Sequence, residues 1–291
     1  MWLHRYIGAM RVIRVGGVEE PFNLPWLLAF EDNAFADLGA EVTFTNFEGG
    51  TGALVTGLED AMIDLGTLLT EGGVTAIARG SGVQLHSAFT STPLRWGIHV
   101  AAKADQKKVS ELKGKKFAIS RYGSGSELMA HVLADNQGWK LKDSQFVPVG
   151  GLAGAVTALP KRKAHIFLWE RFITAPLVKQ GIFKRVGELP TPWPAFYTAA
   201  RPGLLASDGP LIDDIVAIVL GYAQQLKHDP DAAIDLIVDR YDMARRDARA
   251  WLTGVDWPTT PFVDTDVLDS VMTRMVELGR IEAPVPVTEL Y

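Results

Sequence analysis

Residues 116–129, KFAISRYGSGSELM, pass from a short apolar run through a Gly/Ser loop into a helical pattern. Phe117, Ala118 and Ile119 have the content of a buried strand, and Gly123, Ser124, Gly125 and Ser126 form a turn whose backbone can approach a ligand closely. A helix is expected from about Glu127. Its free N–H groups and positive dipole end would stand beside two hydroxyls, a combination suited to a carboxylate, sulfonate or phosphate. Ser124 and Glu127 also have the S-x-x-E spacing of a capping box, so the same residues read as satisfying the helix start.

Working outward, the chain alternates strands and helices on both sides of this stretch. In the first block, strand patterns around residues 12–15, 41–47, 62–65 and 83–91 are separated by helical patterns at 27–38, 53–61 and 70–79. In the second, a longer strand at 94–102 precedes strands at 116–120, 145–149, 165–169 and 182–186, with helices at 127–137, 152–159 and 171–180. Short connections between single strands and single helices predict βαβ units and mostly parallel sheets. The proline segment PTPWP at 190–194 reads as a break before a strand at 195–200. Beyond Pro202 the pattern is helical, over 210–226, 231–240, 243–252 and 264–278, and this tail needs a sheet to cover its apolar faces.

With 291 residues and 47% hydrophobic content the chain can bury a large core, as an ordinary soluble globular protein of two domains or one large one. The formal charge of −5 leaves no basic field for nucleic acid, and Lys107, Lys108, Lys113, Lys115 and Lys116 form only short clusters. Without cysteine there is no disulfide, thiolate metal site or Cys nucleophile. The start lacks a signal-peptide h-region and no run of about 18 apolar residues occurs, so the chain as written is expected to be cytoplasmic and without a transmembrane segment. Because strand-like residues follow Met10 at once, residues 1–9 read as a non-native or misassigned start, and a removed leader would make the protein periplasmic.

Four stretches carry a resemblance: RVGGVEEPFNLPW at 14–26, IDLG at 63–66, LKGKKFAISRYGSGSELMA at 112–130, and FLWERF at 167–172 followed by ELPTPWPAFYTAA at 188–200. They resemble the thiamine-precursor and sulfonate-binding branch of ABC-transporter substrate-binding proteins, and most of all a subgroup with a similar YGSGS loop. The match runs from about Arg11 to Arg201. It implies the two-lobed α/β type II periplasmic-binding-protein fold, with residues 98–200 as a second lobe inserted into a first lobe of 1–97 and 201–291. The helical C-terminal segment would pack on lobe one. A small-molecule ligand would sit between lobes that close about a hinge, with an ABC-transporter permease as a possible partner and no cofactor.

In such folds the loops at the carboxyl ends of the strands face the ligand. That selects Glu19, Glu20, Asn23 and Trp26 after the first strand, Gly50 and Thr51 after the second, and Thr70 and Glu71 after the third. In the other lobe it selects Tyr122, Gly123, Ser124, Gly125 and Ser126, with Trp169 and Glu170 after a later strand. Each has an ordinary alternative: Trp26, Trp169 and Trp193 as core or hinge packing, Asn23 as a helix cap, Glu71 as a first-turn charge. Taken together, Glu20, Glu71 and Glu170 would accept from ligand N–H groups and the Gly/Ser loops would hold an acidic group. An amphoteric or heterocyclic molecule is the expectation.

Catalytic signatures are weak. The six histidines show no HExxH spacing, and Glu127 with His131 at i, i+4 lacks further metal ligands. Leu128 stands where a dinucleotide fingerprint has its third glycine, and no G-x-S-x-G elbow occurs. A binding protein is therefore the first reading. An enzyme on the same scaffold, of the thiamine-pyrimidine or menaquinone-precursor type, and an intracellular ligand sensor are the rivals.

Overall fold

The computed structural model describes residues 10–291. The expectation for residues 1–9, and His4 within them, lies outside the described residues. Two compact units emerge, one running to Thr92 and resuming over Trp193–Tyr291, the other formed by Pro93–Pro192. The sequence reading drew these limits at 97/98 and 200/201.

The first unit is built on β1 (Arg11–Gly17), β2 (Ala40–Asn46), β3 (Leu65–Leu69) and β4 (Gln84–Ala88), joined by α1 (Leu24–Glu31), α2 (Gly50–Glu59) and α3 (Thr70–Ala78). β1 pairs in parallel with β2 and β3. A further strand, Phe196–Ala200, enters antiparallel between β3 and β4, so this sheet is mixed where a mostly parallel one was expected. The third strand also starts later than the apolar run at 62–65 suggests. Ala61 is left-handed, the N–H groups of Met62 and Ile63 both donate to the Gly57 carbonyl, and Met62 stays exposed. Pairing begins only past Asp64, which accepts from Arg14 and Arg201 side chains at 2.7–3.0 Å.

In the second unit β5 (Pro93–Ala101), β6 (Phe117–Ile119), β7 (Phe146–Pro148), β8 (Ile166–Glu170) and β9 (Phe183–Pro194) form a sheet in the order β7-β6-β8-β5-β9, with α4 (Gly125–Asn136), α5 (Leu152–Ala158) and α6 (Ala175–Lys179) on its connections. β6 is parallel to β7 and β8, and β5 runs antiparallel to β8. Ala118, Phe167, Phe183 and Leu159 are buried together at its core.

PTPWP does not break the chain. β9 runs through it because β9 is an outer strand, where prolines at alternate positions 190, 192 and 194 need donate nothing to the ladder. Leu189, Thr191 and Trp193, between them, are buried. The strand Phe196–Ala200, now β10, follows directly.

The tail forms α7 (Leu204–His228), α8 (Pro230–Tyr241), α9 (Arg245–Gly254) and α10 (Thr265–Glu277) within the first unit, α7 against α1 and α10 against α3. α7 starts before Pro210, after the left-handed Gly203. Its buried Leu211, Ile212, Ile215, Val216, Val219 and Leu220 recur at helical spacing, and each fully buried side chain of this size contributes about 1.5–3 kcal/mol over exposure. Asp229 and Asp264 cap α8 and α10 by accepting from Ala232 and Val267 N–H. Among the described residues no helix is long and apolar enough to cross a membrane.

The approach to α5 allows no side chain at Gly154, because a Cβ there would lie 1.7 Å from the Val149 carbonyl oxygen. Gly154→Ala is expected to cost about 3 kcal/mol in urea unfolding, since a backbone atom must move; a loss under about 0.5 kcal/mol would refute this packing.

Candidate functional site

In the first unit, the carboxyl end of β3 and the first turn of α3 draw several candidates together. Thr51 Oγ1 accepts from Leu69 N–H at 3.0 Å, and its methyl stands so close to Gly72 that a Cβ there would lie 2.5 Å away. Thr70 Oγ1 donates to the Pro194 carbonyl at 2.6 Å. Beside it Glu71 is almost wholly buried, and its Oε2 accepts from Trp193 Nε1 at 2.7 Å. Its Oε1 is equally buried and has no hydrogen-bond partner. Burial pushes the Glu71 carboxyl up to about 7, opposed by a backbone N–H and by Trp193.

The loop after β1 behaves differently. Asn23 does not cap α1: its Nδ2 donates to the Val18 carbonyl at 2.8 Å, and its buried Oδ1 is left without a donor. Glu19 N–H donates to Asn46 Oδ1. Glu19 and Glu20 are close enough to Tyr241 for their charge to help burial hold that phenol well above its usual range. Trp26 is a core residue, tilted against Phe89 at 6.5 Å between ring centres. Gly50, left-handed at φ 62°, opens α2, and its N–H is spent on the Phe47 carbonyl.

In the second unit the Gly/Ser loop folds largely upon itself. α4 starts at Gly125, two residues before the expected Glu127. Ser124 Oγ accepts from Glu127 N–H at 3.4 Å, while Glu127 Oε2 accepts from Gly123 N–H at 2.6 Å, one residue earlier than a standard capping box would reach. Ser126 Oγ accepts from Ser120 N–H at 2.9 Å and joins the Ser120 and Ser124 hydroxyls. The hydroxyls thus serve the loop, and the N–H groups of Gly125 and Ser126 in the first turn lie beyond the reach of any helical carbonyl. Tyr122 at the loop's tip is exposed. His131, one turn along from Glu127, stacks on Phe146 at 5.0 Å.

Glu170 ends β8. Its Oε2 accepts from Phe172 N–H at 2.6 Å and Ile173 N–H at 2.7 Å, and its Oε1 is buried without a partner. Burial raises this carboxyl to about 7, against the pull of those N–H groups and of Arg171. Trp169, its neighbour, stacks on Phe167 at 5.2 Å. Successive strand residues point to opposite faces, so Trp169 and Glu170 lie on different sides of the sheet. His99, buried on the Trp169 side, is lowered to about 4 by burial and bonds the Phe167 carbonyl and the Thr174 hydroxyl.

The described residues therefore hold two alike carboxyls, Glu71 and Glu170, each with one oxygen satisfied and one not. Sequence reasoning singled out both glutamates. It missed that Trp193 is the partner of Glu71 and that Thr70 ties the same turn to Pro194, since nothing local links positions so far apart in the chain.

A family model described as Ca3427-like PBP matches residues 96–189, nearly all of the second unit. No curated protein matches the chain. Among solved structures, the Candida albicans CA3427 gene product, described as having the generic periplasmic binding protein fold, superposes with a TM-score of 0.88 at 22% identity over 96% of this chain and 94% of that one. The alkanesulfonate-binding protein SsuA from Xanthomonas axonopodis pv. citri, bound to MOPS, gives 0.82 at 15% identity over 97% and 98%. PhnD1 from Prochlorococcus marinus, in complex with methylphosphonate, gives 0.62 at 12% identity over 93% and 99%. The fold is that of the type II periplasmic binding proteins.

A carboxyl raised in the folded state binds its proton more tightly there than in the unfolded chain. The stability it contributes is complete below the ordinary carboxylate pKa of about 4.5 and is lost as pH climbs through about 7. Glu71→Gln and Glu170→Gln should therefore melt closer to, or above, the native protein at pH 8 than at pH 5. Melting curves at both pH values check this, and an identical difference at each would show that neither group titrates there.

Proposed function

We propose that the protein is a small-molecule binding protein whose ligand joins an acidic group to an N–H-bearing or heterocyclic part. The observation that carries this reading is the two buried glutamates, Glu71 in the first turn after β3 and Glu170 at the end of β8, each keeping one oxygen unpaired at the position where folds of this kind present ligand loops. An unpaired buried carboxyl oxygen suits a ligand donor. The N–H groups of Gly125 and Ser126, at the positive end of a twelve-residue helix, suit the acidic group.

The ligands named for SsuA and PhnD1 support the same class. Both are organic oxyanions, and MOPS combines a sulfonate with a ring nitrogen that can carry a proton. Pyrimidine precursors of thiamine, implied by the YGSGS resemblance, belong to the heterocyclic half of the class. Closure of a two-lobed molecule on this ligand and delivery to an ABC-transporter permease complete the proposal.

A second reading has one observation in its favour: two carboxyls raised to about 7 are poised to move protons near neutral pH. In that case the chain is an enzyme on the same scaffold, and mass spectrometry of bound ligands after prolonged incubation would show conversion.

Thermal-shift measurements against alkanesulfonates, phosphonates, aromatic carboxylates and pyrimidines test the binding reading. A true ligand at a hundred times its Kd stabilises by about 2.7 kcal/mol, a plain rise in Tm. Glu170→Ala and Ser124→Ala should each weaken that ligand about tenfold or more. A flat response across all four classes, or unchanged affinity in both variants, would defeat the proposal.

A further inference from the structure

Three arginines of the second unit converge on one carboxylate. Arg95 Nη2 donates to Glu188 Oε2 at 2.8 Å, Arg171 Nη1 lies 2.9 Å from each Glu188 oxygen, and Arg185 Nε stands 3.8 Å from Oε1. The strands explain the meeting. Arg95 lies on β5, Arg171 directly follows β8, and Arg185 and Glu188 lie on β9.

The cluster is held in place from beneath. The Arg171 and Arg95 guanidiniums lie 4.8 and 5.8 Å from the centre of the buried Phe172 ring, within cation–π range. Arg185 crosses Gly97, where a Cβ would stand 3.2 Å from its Cδ and 2.4 Å from His99 Cε1. Only glycine leaves that path open. Arg185 Nη1 reaches the Arg171 carbonyl at 3.4 Å.

Its charges do not balance. Three guanidiniums share one carboxylate, leaving a surplus of two positive charges. Glu170, which precedes Arg171, offsets part of that surplus once it ionises through about 7, and His99 is held neutral. Arg171 has a buried Nε with no acceptor. Burial lowers its pKa, Glu188 pulls the other way, and the repulsion of Arg95 and Arg185 adds to the lowering. Meanwhile Arg95, Arg185 and Glu188 remain partly open to solvent. Planar guanidinium forks facing one point are the geometry that binds tetrahedral oxyanions in bidentate fashion.

We propose that Arg95, Arg171 and Arg185 form a binding site for a doubly charged tetrahedral oxyanion, a phosphate or sulfate group, with Glu188 as the internal counter-charge that keeps the three guanidiniums together. The proposal uses none of the Gly125 and Ser126 N–H groups and does not rest on the reading given to them.

Calorimetric titration of the full chain with sodium phosphate, at pH 7.5 and low ionic strength, should give saturable binding at one site, with sulfate competing. Arg185→Gln and Arg95→Gln should each weaken phosphate about tenfold. Glu188→Gln, which removes the internal anion, should tighten it, an outcome that a merely structural cluster would not produce. Lys161→Gln, an exposed cation outside the cluster, should leave phosphate affinity unchanged. Phenyl phosphate binding as well as the free ion does assigns the site to an ester group, and its exclusion assigns the site to the free ion. The proposal fails if the native chain shows no saturable binding, if both arginine variants bind phosphate as the native chain does, or if Lys161→Gln lowers affinity as much as they do.

Discussion

The first unit depends on β10, five buried residues antiparallel between β3 and β4. Without this strand two others would face each other across an open row of backbone groups, each an unpaired donor or acceptor in a buried sheet. Threonines fix its entry. Thr90 Oγ1 accepts from Phe196 N–H, the Thr92 carbonyl accepts from Ala195 N–H, and Thr70 reaches both the Pro194 and Ala195 carbonyls. Trp193 stands immediately upstream, so the position of its indole N–H, and with it the bond to Glu71, follows from how β10 is seated.

The two buried glutamates reach the same condition by different routes. Glu71 is served by one side-chain donor from a distant part of the sequence, whereas Glu170 turns back on two backbone N–H groups of the residues that follow it. In each the second oxygen is buried without a donor, a condition costly enough that folded proteins keep it rare. A proton on that oxygen relieves the charge but not the missing contact. This is the physical sense in which both positions are incomplete.

Local chemistry was legible in the sequence and distant chemistry was not. The Ser124 and Glu127 spacing announced a helix start because a cap is made within four residues. The order of elements was legible from periodicity, and with the resemblance it led to the right fold. Met62 misled, since an apolar residue in a turn looks like the start of a strand until Asp64 is seen anchored by Arg14 and Arg201. PTPWP misled for a similar reason: proline excludes a central strand but not an outer one, and strand order is not written in a local window. The Glu71–Trp193 bond and the arginines around Glu188 join residues from different elements, and only the assembled sheets bring them together.

Because backbone N–H directions alternate along a strand, prolines at 190, 192 and 194 remove donors from one side of β9, and β5 occupies the other. Around 190–192 the outward margin of the second sheet therefore carries carbonyls without matching N–H groups. Strand addition from another molecule, the usual beginning of edge-to-edge aggregation, finds no complete ladder there. The segment that reads as a break in the chain is thus the part of the strand least able to extend the sheet.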